Sequence, residues 1–372
     1  MVRKIVLRGK GRARGRAHGE ELRDLVLEQQ ERWTQALQDD IGLSPAPYLD
    51  RLFAETNFMP AIERWTPDLL EEVRGIAEGA GTDFRLTLAR QLSDEEPWFR
   101  REIWLQSRIA KGCSSLGVDA APDRPALIAQ NMDMPLWHDG HQVLLHSIDP
   151  DSPVEVLSYT VAGKISLAGL NSAGVGICCN SMNHLDHDVN GLPEDFVVRG
   201  FLSQPTLAAG LDFMHRVPHA SPQNYVVGGP GHPVVDLEVS ASSIHRYRTP
   251  GTTDRVLHTN HPLVNPDDGP WRRLRELLPP DLFATRFRST SQARLAALHR
   301  LLGRPDQPVT PDTIRAAFSQ HDGPVCRHGE VEGRRDAFTL GCLIMELSDR
   351  PSLHVAAGPP CSTPFQIFGF GA

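Results

Sequence analysis

Cys113 stands in the stretch Lys111-Gly112-Cys113-Ser114-Ser115, an arrangement that suits a nucleophile able to make its own N-terminus. Gly112 puts no side chain beside the intervening peptide bond, and glycine tolerates the strained backbone that lets a neighbouring thiol reach its carbonyl. An N→S acyl shift followed by hydrolysis would break the chain between Gly112 and Cys113. The new terminus would carry a thiol and an α-amine, whose ordinary pKa of about 7.7–8.0 suits it to take the thiol proton near neutrality. One residue then supplies nucleophile and base, and no histidine partner is required.

Two other readings stand beside this one. A free cysteine is among the most buried residue types, so Cys113 can be a plain core residue of a non-catalytic binding protein. It can also pair with His258 or His261 in a papain-type Cys/His hydrolase that works uncut, although the local signature expected around such a cysteine is missing.

The elements around Cys113 change character at this point. Before it, Leu22, Val26, Trp33 and Leu37 recur near helical spacing. Thr66-Pro67 reads as an N-cap and first-turn pair ahead of Leu69, Leu70, Val73 and Ile76, and residues 98–110 continue the helical pattern. After it come short strand-like runs broken by turns: SSLGV, ALIAQNMD, QVLLHSI, VEVLSYTV, GKISLAGL and AGVGICCN. Helical patterns return over 193–214, 271–278, 291–302 and 311–318, with QNYVVGG, VVDLEV, SSIHRYR, RVLHTNH, AFTLGCLIMEL and SLHVAAG as further strands. Strands grouped apart from helices imply an α+β protein in layers, either two sheets face to face or one sheet under helices. No repeat or long linker divides the chain, so it reads as a single domain.

Bulk properties narrow the partners. A formal charge of −8 over 372 residues leaves no basic face for nucleic acid or anionic membrane. The cluster from Arg3 to Arg16 is the positive exception, and it reads as a solvated edge. No run approaches the roughly 20 apolar residues of a membrane span, and the start lacks a secretory signal, so the expected location is cytoplasmic. The cysteines at 113, 178, 179, 326, 342 and 361 are too sparse for a disulfide framework.

Several tempting features carry little. Asp186–Gly191 mimics the first half of a calcium loop, but the position needing a bidentate glutamate is Val197. His184 and His187 lack a second ligand pair at zinc-like spacing, so no metal is expected. Cys178 and Cys179 fall on opposite faces of a strand, and GGPGH at 228–232 is a turn rather than a phosphate cradle.

KGCSS, QNMD, GLNSAGVG with CCNSM, and HTNHP, in this order, resemble the acyl-CoA:6-aminopenicillanic acid acyltransferase (C45 peptidase) family of the N-terminal nucleophile (Ntn) hydrolases. The opening GKGRARGRAHGEELRDLV and the closing LHVAAGPP are also similar to that family, so the likeness spans nearly the whole chain. It implies a four-layer αββα sandwich and a self-cut giving a small chain, 1–112, that stays docked as partner to a large chain, 113–372. It implies that Cys113 is the nucleophile and that Asp133 holds the freed amine. Asn260 matches the position whose side-chain amide meets the oxyanion, and Asn171 a position in the same site whose backbone N–H can help. Arg294, in STSQAR, falls where related Ntn hydrolases place a site arginine; its other reading is a solvated charge at a helix start. The implied reaction passes an acyl group from a small amide or acyl donor to water or an amine. It needs no cofactor, with acyl-CoA as a conceivable co-substrate.

Overall fold

The apolar runs after Gly112 become strands covered on both faces, which is why they read as near-continuous hydrophobic stretches rather than strict alternations. The computed structural model describes residues 1–103, 112–286, 289–305, 307–331 and 334–371. The chain opens with β1 (Arg3–Arg8) and a block of helices: α1 (Gly11–Glu21), α2 (Arg23–Ile41), α3 (Pro45–Glu55), α4 (Met59–Trp65), α5 (Pro67–Ala80), α6 (Phe84–Arg90) and α7 (Glu96–Ile103). The helix expected over 98–110 is thus present to Ile103; the rest of that range, with Lys111, lies outside the described residues.

Strands β2 (Gly112–Val118), β3 (Ala126–Pro135), β4 (Gln142–Ile148), β5 (Val156–Val161), β6 (Ala168–Asn171) and β7 (Gly176–Ser181) follow. Then come α8 (Glu194–Leu202), α9 (Leu207–Arg216), β8 (Gln223–Gly228), β9 (Val235–Val239), β10 (Ile244–Tyr247) and β11 (Arg255–His258). The chain continues through α10 (Gly269–Leu277), α11 (Pro280–Arg286), α12 (Ser291–Leu302) and α13 (Pro311–Phe318). It closes with β12 (His328–Val331), β13 (Arg334–Leu347), β14 (Ser352–Ala356) and β15 (Gln366–Gly369).

These strands form an eight-stranded sheet ordered β1-β4-β5-β6-β7-β8-β9-β10 and a second sheet ordered β11-β2-β3-β13-β14-β15, with β12 paired to β13. The side-chain period of two divides the strands into three apolar layers. Ile128, Met132, Leu343 and Met345 of the second sheet meet Leu144, Leu157, Cys178 and Val226 of the first in the central layer. Leu116, Leu127, Ala129 and Ile344 face the other way, onto α12 and α13. Ile177, Cys179, Tyr225 and Leu237 face Trp33, Trp98 and Phe196 of the remaining helices. The result is the αββα sandwich.

Some local expectations change. The helical stretch 193–214 is two helices, because Pro205 interrupts it and the Thr206 hydroxyl caps α9 by accepting from the Ala209 N–H at 3.2 Å. Thr66 holds the N-cap position of α5, but its hydroxyl donates back to the Ile62 carbonyl at 3.3 Å. Of GKISLAGL, the strand begins only at Ala168.

The basic start is not a solvated edge throughout. Residues 3–8 form a strand parallel to β4, and the guanidinium of Arg14 is buried against Glu72 at 2.7 Å and Asp68 at 3.0 Å. The cause is a glycine seam. Gly11, Gly15 and Gly19 of α1 lie against α5, where Gly75 and Gly79 face back, and a Cβ at Gly15 would overlap the Glu72 carbonyl. Such closeness carries Arg14 inward to the α5 acids.

Candidate active site

β2 pairs antiparallel with β3, putting Gly112 opposite Asp133 and Cys113 opposite Met132. Opposed residues share a face, so Cys113 points into the central layer with Met132 and Cys178 while Asp133 points toward α12. On that outer face two guanidinium groups fill the space beside Gly112. A Cβ there would sit 2.9 Å from Arg327 Nη1 and 3.1 Å from Arg294 Nη2. A side chain at 112 would therefore crowd both cations and shift their tips.

Asn260 and Arg294 converge on Cys113 from outside the strand pair. The Asn260 Oδ1 accepts the Cys113 backbone N–H at 2.8 Å and Arg294 Nη2 at 2.6 Å. Its Nδ2 donates to the Ser181 carbonyl at 3.0 Å, which fixes the amide's orientation. Arg294 Nη1 donates to the Cys113 carbonyl and, at 2.9 Å, to the Ser114 hydroxyl. Arg294 sits in the first turn of α12, as a helix-start reading expects, but it is buried and directed at the cysteine.

The loop that carries Asn260 is pinned at both sides. Glu238 on β9 accepts the backbone N–H groups of Leu263, Val264 and Asn265 at 2.6, 3.0 and 2.6 Å, and His258 Nε2 at 2.8 Å. Ser291, at the start of α12, accepts the Asn260 N–H at 2.8 Å and lies 2.7 Å from His261 Nδ1. Fixing Asn260 and Arg294 through the same serine holds their relative position.

Asp133 is held by Thr339 Oγ1, which donates to its Oδ1 at 2.7 Å, and by Arg327 Nη1, 3.6 Å from its Oδ2. Burial pushes the carboxyl up to about 6, against the pull of Arg327, Arg294 and the Thr339 hydroxyl. Burial also pushes the Cys113 thiol up to about 12, the Asp133 charge adding to it while the Asp133 backbone N–H opposes. The thiol is protonated at neutrality in the uncut chain, and the adjacent group poised to change charge near neutrality is Asp133.

Of the residues singled out in the sequence, Cys113, Asp133, Asn260 and Arg294 come together. Asn171 does not. Its amide donates to the carbonyls of Leu202 and Gln204 at 3.0 and 2.7 Å, its Oδ1 accepts from Ala173 and Val175, and its backbone N–H bonds the Val175 carbonyl at 2.9 Å. It is a turn residue tying the β6–β7 hairpin to the end of α8, with every donor used there.

The papain-type pairing also lacks a base. His258 is engaged through both ring nitrogens, with Glu238 and the Thr259 carbonyl, and His261 turns to Ser291 and Thr259. Cys178 faces the central layer and Cys179 the helices, as alternation predicts, though both are buried. His184 packs edge-on to Trp271 and His187 stacks on Trp98. Arg327 and Thr339 enter the site without a local motif, through strand register and loop docking, whereas Ser181 lies in the CCNSM stretch already singled out.

A family model, acyl-coenzyme A:6-aminopenicillanic acid acyl-transferase, matches residues 120–359. The chain belongs to this family. The matched span contains Asp133, Asn260, Arg294 and Arg327, and it begins just beyond Cys113. Among curated relatives, the acyl-coenzyme A:6-aminopenicillanic-acid-acyltransferase 40 kDa form of Emericella nidulans is 26% identical over 205 residues, covering 55% of this chain and 54% of that one. The chain thus matches about half the length of that relative. Solved structures similar to the family member described here include penicillin V acylase from Agrobacterium tumefaciens (9% identity, TM-score 0.43, 69% of this chain and 86% of that one). A mutant conjugated bile acid hydrolase from Clostridium perfringens is also similar (11%, TM-score 0.39, 70% and 97%).

Proposed function

We propose that the chain cuts itself between Gly112 and Cys113 and then acts as an N-terminal-cysteine amidohydrolase or acyltransferase on a small N-acyl compound. The observation that carries this reading is the setting of the Cys113 nitrogen, the atom that becomes the α-amine. It donates to Asn260 Oδ1 at 2.8 Å, in a frame completed by Arg294 and by Asp133 across the strand pair.

In the cut, Sγ attacks the Gly112 carbonyl carbon and the thiol proton passes to the departing Cys113 nitrogen. The Gly112–Cys113 C–N bond breaks, and Gly112 is left as a thioester on Cys113. Water releases it as a carboxylate. Arg294 and Arg327 lie beside Gly112, where negative charge develops. In turnover the freed amine takes the thiol proton, and Sγ attacks the substrate carbonyl beside the Asn260 amide. The amine or thiol of the donor leaves, and water or an acceptor amine takes the acyl group from the thioester. Asp133 then faces a protonated amine, a favourable charge pair that holds the nucleophile in place.

The small chain would remain bound after the cut. β1 is hydrogen-bonded into the eight-stranded sheet, Trp33, Trp98 and Phe99 sit in the helix-to-sheet core, and Asp94 accepts from Ser181 at 3.0 Å and Gln223 at 2.8 Å. Through Ser181 the small chain reaches Asn260, so it contributes to the wall of the site.

The test is the denatured intact mass of wild type beside Cys113→Ala, followed over time. Wild type yielding two fragments joined at 112/113, with the variant whole, supports the reading. Acid quenching during turnover of N-acyl amines or acyl-CoA should then trap an acyl adduct on the large chain. Wild type that stays whole, yet is folded and inert to such donors, would leave Cys113 a structural residue.

A further inference from the structure

Four soft donors meet at a place distant in sequence from the strand carrying Cys113. His321 lies in the turn after α13, Cys326 and His328 in the segment entering β12, and Cys361 in the loop between β14 and β15. Cys361 Sγ is 3.5 Å from Cys326 Sγ and 3.2 Å from His328 Nε2, and His321 Nε2 is 3.0 Å from His328 Nε2. All four atoms lie within 4.8 Å of one another.

We infer that His321, Cys326, His328 and Cys361 bind a divalent transition metal, zinc by the chemistry of the donors, as a structural site. Tetrahedral zinc with bonds of about 2.3 Å to sulfur and about 2.0–2.1 Å to nitrogen sets its donors roughly 3.3–3.8 Å apart. These three separations sit slightly inside or within that range, so small side-chain movements suffice. A hydrogen bond needs two of these groups; the convergence of two imidazole nitrogens and two sulfurs on one point matches a common cation. Two thiolates and two imidazoles favour zinc over magnesium or calcium, and four protein ligands leave no open position for catalysis. Binding would release the two thiol protons to solvent.

The site has a structural reason to exist. Cys326 and His328 flank Arg327, whose guanidinium faces Asp133. The Arg327 backbone exchanges hydrogen bonds with Thr339, at 3.0 Å to its hydroxyl and 3.0 Å from its N–H. A metal gripping both neighbours would fix this short segment and tie the loop of Cys361 to it, so that Arg327 keeps its aim. The expectation of no metal rested on the spacing around His184 and His187; here three donors fall within residues 321–328, and the fourth, Cys361, joins them only through the fold.

The experiment uses the full chain, produced without a metal-binding tag and purified without chelator, as wild type and as Cys113→Ala. Zinc is measured by plasma mass spectrometry, and metal-free protein is then loaded with cobalt(II). About one zinc per chain, together with a near-ultraviolet thiolate-to-cobalt band and intense visible bands of a tetrahedral ion, is the expected result. A Cys326→Ser/Cys361→Ser variant should lose both signals while Cys178 and Cys179 remain. Chelation should lower the unfolding temperature of wild type, as loss of a native-state ligand does. The inference is overturned if folded, reduced wild type takes up less than a tenth of an equivalent from equimolar zinc, or if Cys326 and Cys361 are found joined as a disulfide in the freshly isolated chain. The cobalt spectrum of wild type needs no variant to fold, and zinc uptake by Cys113→Ala separates this result from the fate of the proposed self-cleavage.

Discussion

The side-chain oxygen of Asn260 accepts the backbone N–H of Cys113 at 2.8 Å, across 147 residues of sequence. Asn260 thereby touches the atom that the proposed cut would release as an amine. Asn260→Ala removes this acceptor and the amide donor near the attacked carbonyl. Losing one such donor should cost about 10²–10³ in kcat. Steady-state kinetics on a processed sample would show the loss with KM little changed. The same variant should cut itself more slowly.

Self-cleavage should depend on pH through Asp133. Its carboxylate lies on the strand pair opposite Gly112 and favours the positive charge that the freed amine acquires, and that form fills in as pH rises through about 6. Following fragment formation after refolding, the rate should rise about tenfold between one unit below and one unit above this value. Asp133→Asn should flatten this limb and leave little cleavage at any pH. A profile that falls with pH would exclude a role for the carboxylate in the cut.

His258 and Glu238 make a buried pair at 2.8 Å whose stabilisation has a defined window. Burial pulls His258 down, but Asp236 and Glu238 outweigh it, so its folded pKa lies above the ordinary 6.5. Burial raises Glu238, but His258 and the N–H groups of Asn265 and Val264 outweigh it, so its folded pKa lies below 4.5. The histidine's contribution is therefore complete below 6.5 and lost as pH rises through its folded value. The glutamate's is complete above 4.5 and lost as pH falls through its folded value. His258→Gln should cost about 3–5 kcal/mol between these limits and less in alkali, measured as the difference in denaturant unfolding from wild type. The Asn260 loop should loosen with it.

Gly15→Ala tests the seam between α1 and α5. The added methyl meets the Glu72 carbonyl, so the helices must separate and the Arg14–Glu72 pair must stretch. Overpacking of this kind costs about 1–3 kcal/mol, which should appear as a lower thermal midpoint. Ala at Gly42, where nothing lies within 4 Å but φ is +70°, should cost only the strain of a left-handed backbone.

Much of the fold was legible because its signals are local. Helix α12 over 291–302 and helix α13 over 311–318 have the bounds that their periodicity gives, and the strands after Gly112 are apolar because both faces are covered. β1 was missed because its lysine and arginines sit on the exposed positions of an edge strand, masking Ile5 and Leu7 beneath. Asn171 misled for a related reason: an asparagine before a turn looks the same whether it serves a site or, as here, its own hairpin.

By itself the sequence pointed to the chemistry confined to neighbouring residues. A glycine before a cysteine points to a nucleophile that would free its own amine, because peptide bond, thiol and prospective α-amine base belong to adjacent residues. The likeness of its motifs carried that reading to Asp133, Asn260 and Arg294. Only the tertiary structure decided which groups surround the bond. Strand register sets Asp133 opposite Gly112 and Thr339 opposite Asp133, the start of α12 locks onto the Asn260 loop through Ser291, and Arg327 reaches Asp133 from the segment before β12. The same long-range packing brings Cys361 to His321, Cys326 and His328. Contacts made by folding distant segments together are set by sheet pairing and helix docking, and these leave no fixed spacing in the chain.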